Sequence, residues 1–287
     1  MSAQLLATWD AFYAERKPSL CVTSQGTDWA QARSWLARSP IQDLDRAREI
    51  LVWILSQEPI PAALRVAMFY RSMCRWASSP DIEILARNPV SSFKMPKAPQ
   101  KEHHEVIVIP TAEISTVIDA MKPTRKGSTP WHLWAEFQYQ TGMRTGEVRA
   151  LKWDDIKDGR AFVHANWPLK PSYYKPSTKT NRTRYVPLND KAQALLSLIP
   201  QESEFLFPWN RAGMQSVFKR RMSDLHAAGK ISHVYRPYDL RHSAISEWLA
   251  RGVPLALAAR WAGNTKDVLV RSYCGVVEEL EMPTLGI

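Results

Sequence analysis

Apolar side chains recur at three- and four-residue steps along most of this chain, the spacing that lines one face of an α-helix. Leu44, Ala47, Leu51, Ile54 and Leu55 set such a face and predict a helix over 44–57, ended by Pro59 and Pro61. A second helix is predicted over 62–77, closed by Ser78-Ser79-Pro80, with Arg71 and Arg75 sharing a face at i,i+4. Then the texture changes. Asn88-Pro89 leads into SSFKMPKAPQK, where Pro, Ser and Lys follow no apolar period. That composition reads as an exposed basic linker. It divides the chain into an expected helical domain over 1–96, a linker over 97–104 and a second domain over 105–287.

Periodicity resumes at Thr111, expected to cap a helix with the stripe Ile114, Val117, Ile118 and Met121. Helices are predicted over 131–140 and 146–152, split at Thr141-Gly142. Alternation replaces the helical period in Arg160–Ala165 and Thr183–Leu188, which predicts two strands. Helical spacing returns over 191–198, 212–228, 240–251 and 255–262. The fold class expected is mainly α with a small β-sheet.

Composition narrows the picture. The chain has 287 residues, 45% hydrophobic and 23% charged, a balance that builds cores and excludes wholesale disorder. No apolar run approaches membrane-spanning length, and the N-terminus lacks a signal-peptide core, which predicts a cytoplasmic protein. Cys21, Cys74 and Cys274 follow no metal or disulfide spacing. The net charge is +10. Basic and acidic residues number 12 and 9 in 1–100, and 26 and 19 in 101–287. Nucleic acid is the partner class that such an excess fits, although charge alone fits a merely basic protein equally well.

Four segments could carry chemistry. TGMRTGEV places Arg144 at a helix–helix break with Glu147 three residues on; the fork can address a phosphate, or simply pair with the acid. LKPSYYKPSTKTNRTR holds Lys170, Lys175, Lys179, Arg182 and Arg184 and no acid, a basic hairpin able to touch a DNA backbone or a solvated loop. YRPYDLRHS puts Asp239 in reach of a helix N-terminus and Arg241 in its first turn, where a cation opposes the macrodipole and suggests an anionic partner. ARWAGN ends a helix at Gly263, and Tyr273 follows Asn264 by nine residues.

In this order the segments resemble the tyrosine recombinase (phage integrase) family. Its catalytic domain carries T-G-[LM]-R-x-x-E, a hairpin lysine before R-x-V-P-L, H-x-L-R-H, L-G-H and then a tyrosine nine residues on. TGMRTGE, KTNRTRYVPL, YDLRHS, WAGN and SYC stand here in that register. The segment 62–99 is similar to the end of the family's core-binding domain and its linker. The resemblance implies a two-domain clamp: a helical core DNA-binding domain, and an α+β catalytic domain that cuts and rejoins DNA through a 3′-phosphotyrosine. It also implies that nothing precedes the core-binding helices near Leu5.

The catalytic residues implied are Arg144, Lys179, Tyr238, Arg241, Asn264 and Tyr273, with Glu147 as support for the first arginine. Arg71, Arg75, Lys94, Lys97, Lys175 and Arg182 are the expected DNA contacts. Double-stranded attachment sites, a tetramer on DNA and a directionality factor are the implied partners, and no cofactor or metal is expected. Tyr238 and Asn264 depart from the family, which has histidine at the first position and histidine or tryptophan at the second. Both can donate hydrogen bonds, but neither is a base near neutral pH. The departures keep open a DNA-binding protein on the same scaffold that no longer cuts. A topoisomerase or telomere resolvase using the same covalent step is a third reading. The tail over 276–287 is expected either to pack on a neighbouring protomer or to fold back.

Overall fold

The structure, a computed structural model, describes residues 4–20, 24–96, 106–168, 174–178 and 182–278. The chain divides into two compact units, residues 1–102 and 103–287.

The first unit is helical. Helices α1 (Leu5–Arg16), α2 (Ala30–Arg38), α3 (Ala47–Leu55) and α4 (Ile60–Ala77) surround a core rich in large rings. Trp29 is its hub: the rings of Trp9, Phe12, Tyr13 and Phe69 lie 5.1–5.5 Å from it. Each buried aromatic contributes through area and dispersion, so Trp9→Ala here would cost about 3–5 kcal/mol. Helix α4 begins at Ile60, two residues before the expected start. Pro59 is its N-cap and Pro61 lies in its first turn, where a missing N–H costs nothing. Arg71 is half-buried on this helix, and Arg75 and Lys94 are exposed. Lys97 lies outside the described residues.

The second unit packs helices around a three-stranded antiparallel sheet in the order β1 (Ile156–Lys157), β2 (Arg160–Val163), β3 (Arg184–Pro187). The register sets Ala161 opposite Val186 and Phe162 opposite Tyr185. Ala161, Val163 and Val186 are buried, while Phe162 and Tyr185 pair on the other face, 4.9 Å between ring centres. The helices are α5 (Thr111–Asp119), α6 (Trp131–Thr141), α7 (Thr145–Ala150), α8 (Asp190–Leu196), α9 (Arg211–Ala227), α10 (Pro237–Ala250), α11 (Leu255–Ala262) and α12 (Lys266–Glu278). Thr111 is not a cap. Pro110 holds that position, and the Thr111 hydroxyl donates to Glu247 on α10 instead.

Among the described residues, two cores serve this unit. The larger joins α5 and α6 to the sheet through residues such as Val117, Phe137, Val148 and Val186. The smaller gathers Ile245, Leu249, Ala258, Ala262, Leu269 and Tyr273 between α10, α11 and α12.

Candidate active site

The site is assembled at helix ends. Helix α6 stops at Gly142, whose left-handed φ of 57° only glycine adopts without strain. A Cβ there would also lie 2.4 Å from the Trp248 ring. This sharp exit sets Arg144 as the N-cap of α7, with its side chain 17% exposed. Helix α11 ends the same way at Gly263, φ 67°, which delivers Asn264 to the same place.

Arg144 donates through Nη1 to Glu147 (2.9 Å) and through Nη2 to the Gly263 carbonyl and Asn264 Oδ1 (both 2.7 Å). Arg241 donates through Nη1 to the Gly142 carbonyl (2.7 Å), and through Nη2 to the Ala262 carbonyl (2.8 Å) and Asn264 Oδ1 (3.3 Å). Asn264 thus joins the two arginines. With its carbonyl oxygen so engaged, the amide still carries two N–H donors. A guanidinium has five N–H donors; three of each are taken by these contacts, so up to two remain for an anion.

Arg241 is 1% exposed. Helix α10 starts at Pro237, three residues before its expected start, so Arg241 stands in the second turn rather than the first. Its charge is met by carbonyl oxygens from two helix ends, not set against the macrodipole. Asp239 accepts from the backbone N–H of Arg236, which closes the first turn.

Behind Arg144 sits Glu147, 2% exposed. Arg184 on β3 grips it with Nη1 at 3.0 Å and Nη2 at 2.6 Å, and donates Nε to the Trp261 carbonyl at 2.7 Å. Burial alone would raise the Glu147 carboxyl, but the Arg184 bonds and the charges of Arg184, Arg144 and Arg241 hold it at about 2. The acid supports two arginines, one of them supplied by the strand.

Tyr273 is 3% exposed and leaves helical geometry, φ −135° and ψ 17°, where two helical runs of α12 meet. Its hydroxyl lies 2.6 Å from Nδ1 of His242, one turn after Tyr238 on α10. Burial raises the Tyr273 phenol, and the Arg241 charge opposes that shift. Tyr238 is 40% exposed; its ring meets His242 edge-on at 4.9 Å and lies 5.9 Å from the Arg241 guanidinium.

A cleft of about 920 Å³ opens beside this assembly. Arg144, Arg182, Arg184 and Arg260 line it together with Tyr238 and Asn264, and no acid is among its described lining residues. Low-dielectric walls of one charge sign concentrate an anionic ligand. Among the described residues, no group of three or more His, Cys, Asp or Glu is placed to hold a metal. No described helix is long and apolar enough to cross a membrane.

Six expected site residues thus meet here: Arg144, Glu147, Tyr238, Arg241, Asn264 and Tyr273. Arg182 is exposed on the cleft wall. Lys175 pairs its backbone with Asn166. Lys179 lies outside the described residues, as do residues 279–287 of the tail. The sequence offered Arg184 only as one cation of the basic hairpin, and His242 not as a site residue. Arg184 stood in R-x-V-P-L, a strand motif. His242 ends YDLRH four residues after Tyr238, the spacing that puts both on one helix face.

A model of the phage integrase family matches residues 108–279. The shufflon-specific DNA recombinase of Escherichia coli is 29% identical over 119 residues, 39% of this chain and 26% of that protein; the match spans about a quarter of this curated relative. Among solved structures, the Tn1549 transposon integrase in complex with transposon right end DNA superposes with a TM-score of 0.71 at 11% identity, covering 93% of this chain and 94% of that one. Lambda integrase bound to DNA gives 0.69 at 15%, covering 98% and 100%. A lambda integrase tetramer bound to a Holliday junction gives 0.66 at 16%, covering 92% and 78%. At these identities the likeness is one of fold.

Proposed function

The chain belongs to the phage integrase family, and from that premise we propose that it is a site-specific DNA recombinase. It cuts and rejoins DNA through a covalent 3′-phosphotyrosine, to integrate or excise phage or other mobile-element DNA. The observation that carries the reading is the shared bond: Asn264 Oδ1 accepts from both Arg144 and Arg241, beside a cleft lined by four arginines.

The Tyr273 hydroxyl attacks the phosphorus, and the 5′-oxygen leaves. A covalent intermediate conserves the bond energy for rejoining. Arg144 and Arg241 receive the charge that builds on the non-bridging oxygens, already fixed in place and poorly hydrated. Asn264 adds an amide donor, and Tyr238 a phenolic one at the cleft wall. Lys179 gives the leaving 5′-oxygen its proton. Glu147 holds the arginine fork in position.

The helical domain over 1–96, with Arg71, Arg75 and Lys94, and the linker with Lys97 contact the duplex backbone. Lys175 and Arg182 do so from the catalytic domain over 105–287. The protein works as a tetramer on paired double-stranded attachment sites in the cytoplasm, with direction set by a further factor. The transposon and lambda integrases of like fold support this assignment.

The test is a nicked half-site DNA in excess EDTA. The wild-type protein should leave a covalent adduct that survives denaturation. Tyr273→Phe should bind the same DNA equally well and leave none. An adduct from the Phe variant, or strict dependence on added magnesium, would overturn the reading.

A further inference from the structure

Tyr238 stands where the resemblance expects a histidine, so that position offers a phenol hydroxyl in place of an imidazole. One turn further along α10, His242 brings Nδ1 to 2.6 Å from the Tyr273 hydroxyl. We propose that His242 is a catalytic residue of this chain, the base that takes the Tyr273 phenolic proton during attack on the phosphate. The proposal rests on Tyr273 being the nucleophile, as argued above.

Three observations carry it. The phenol sits in the small apolar core among Ile245, Leu249 and Leu269, 3% exposed. A hydroxyl withdrawn from water needs a protein partner, and His242 supplies one. The imidazole is held on two sides, by the Tyr238 ring at 4.9 Å and the Tyr273 ring at 5.8 Å. Burial holds the ring at about 4 and so keeps it neutral near pH 7, and the Nε2–H tautomer places its one ring lone pair on Nδ1, facing the phenol. The titratable and charged groups acting on it are Asp239, which opposes that shift, Arg241 and Arg236, which add to it, and Tyr238 and Tyr273 in ring contact.

The step balances. As the bond from Tyr273 Oη to phosphorus forms, the phenolic proton passes to Nδ1 and His242 becomes the cation. The bond from phosphorus to the 5′-oxygen breaks with its electron pair, and that oxygen leaves as a hydroxyl after protonation by Lys179. Rejoining reverses each transfer: the 5′-hydroxyl attacks, the phenol leaves and Nδ1 returns its proton. At rest the proton belongs to the phenol, whose burial holds it there. Transfer therefore accompanies attack rather than preceding it.

Single-turnover cleavage by His242→Gln is the test. Loss of a positioned base should slow adduct formation about 10²–10⁴-fold with DNA affinity unchanged. The residual rate should climb about tenfold per pH unit from about pH 7 to about pH 9, as solvent base replaces the ring, while the wild-type rate stays flat. His242→Asn, whose amide overlays Nδ1, repeats the measurement should Gln disturb folding. A variant within a few-fold of wild type, or one slowed equally at every pH, would overturn the proposal; the second result would make His242 only a positioning residue. Tyr273→Phe runs beside them. An adduct from that control would instead remove Tyr273 as nucleophile, so the two failures are distinguishable.

Discussion

The site has two halves built on opposite physical terms. Around Arg144, Arg184 and Glu147, charge meets charge, with two bonds from the Arg184 fork and one from that of Arg144, and the acid stays ionised down to about pH 2. Around Tyr273 and His242, two neutral rings share one hydrogen bond inside an apolar cluster, and burial suppresses ionisation of both. The first half can receive an anion because its positive charge is fixed before the anion arrives. The second can deliver a proton because neither partner is charged at rest. Arg241 belongs to both: it shares Asn264 with Arg144, and its charge acts on the phenol. On the proposed function, the difference teaches that the cradle and the nucleophile can be broken separately, and variants in each should fail in different ways.

The largest effect on stability is expected from Glu147→Gln. It leaves Arg184, whose side chain is 7% exposed, without its counter-charge, and breaking a buried pair in this way costs about 3–5 kcal/mol. The sign with pH follows from the depressed carboxyl. Its folded value is about 2, against about 4.3 in the unfolded chain. The stabilisation is therefore complete above about pH 4.5 and fades as pH falls toward 2. Urea unfolding of both proteins should show a wide gap at pH 7 that closes below pH 4.5. A gap constant down to pH 2.5 would mean that the acid is not the counter-charge.

Next in size are the arginines. Arg144→Ala and Arg241→Ala should each slow cleavage about 10²–10³-fold, as loss of a preorganised donor does. They should part company in stability. Arg241→Ala also strips donors from the Gly142 and Ala262 carbonyls, which costs roughly 1–3 kcal/mol for each group left unsatisfied. Arg144 is more exposed, and its Ala variant should melt closer to wild type. Thermal melts beside single-turnover rates check this. Equal destabilisation would erase the distinction between an exposed and a buried cradle arginine.

How far this was legible in the sequence follows the range of each interaction. Contacts within one helix or turn were readable: the breaks at Gly142 and Gly263, the pairing of Arg144 with Glu147 three residues on, and the apolar stripe of α5. Helix starts were read less well, because Thr111 and Leu240 offered plausible signals that Pro110 and Pro237 outcompeted. Contacts set by tertiary packing were not readable. Nothing local says that Arg184, on a strand, closes on Glu147. Nothing local says that a break at Tyr273 lets its hydroxyl reach His242. The family register placed Tyr238 and Asn264 in the site as outliers, but the consequence of Tyr238 lay in its neighbour one turn away.

The smallest effect, and the sharpest test of the boundary between the halves, is expected at Tyr238. Its ring touches His242 on one side and approaches Arg241 on the other, while 40% of the residue faces the cleft. Tyr238→Phe keeps both ring contacts and removes only the hydroxyl. If that hydroxyl donates to the phosphate, cleavage should lose about 1–3 kcal/mol in the transition state, roughly tenfold to a hundredfold. Tyr238→His restores a donor of similar reach and should equal or exceed the wild-type rate; Asn264→His should likewise be tolerated. Single-turnover cleavage of the nicked half-site by each variant decides. A silent Phe variant would assign Tyr238 to the nucleophile half, as a wall for the imidazole and nothing more. A silent Phe variant together with two inactive His variants would place neither residue in the cradle.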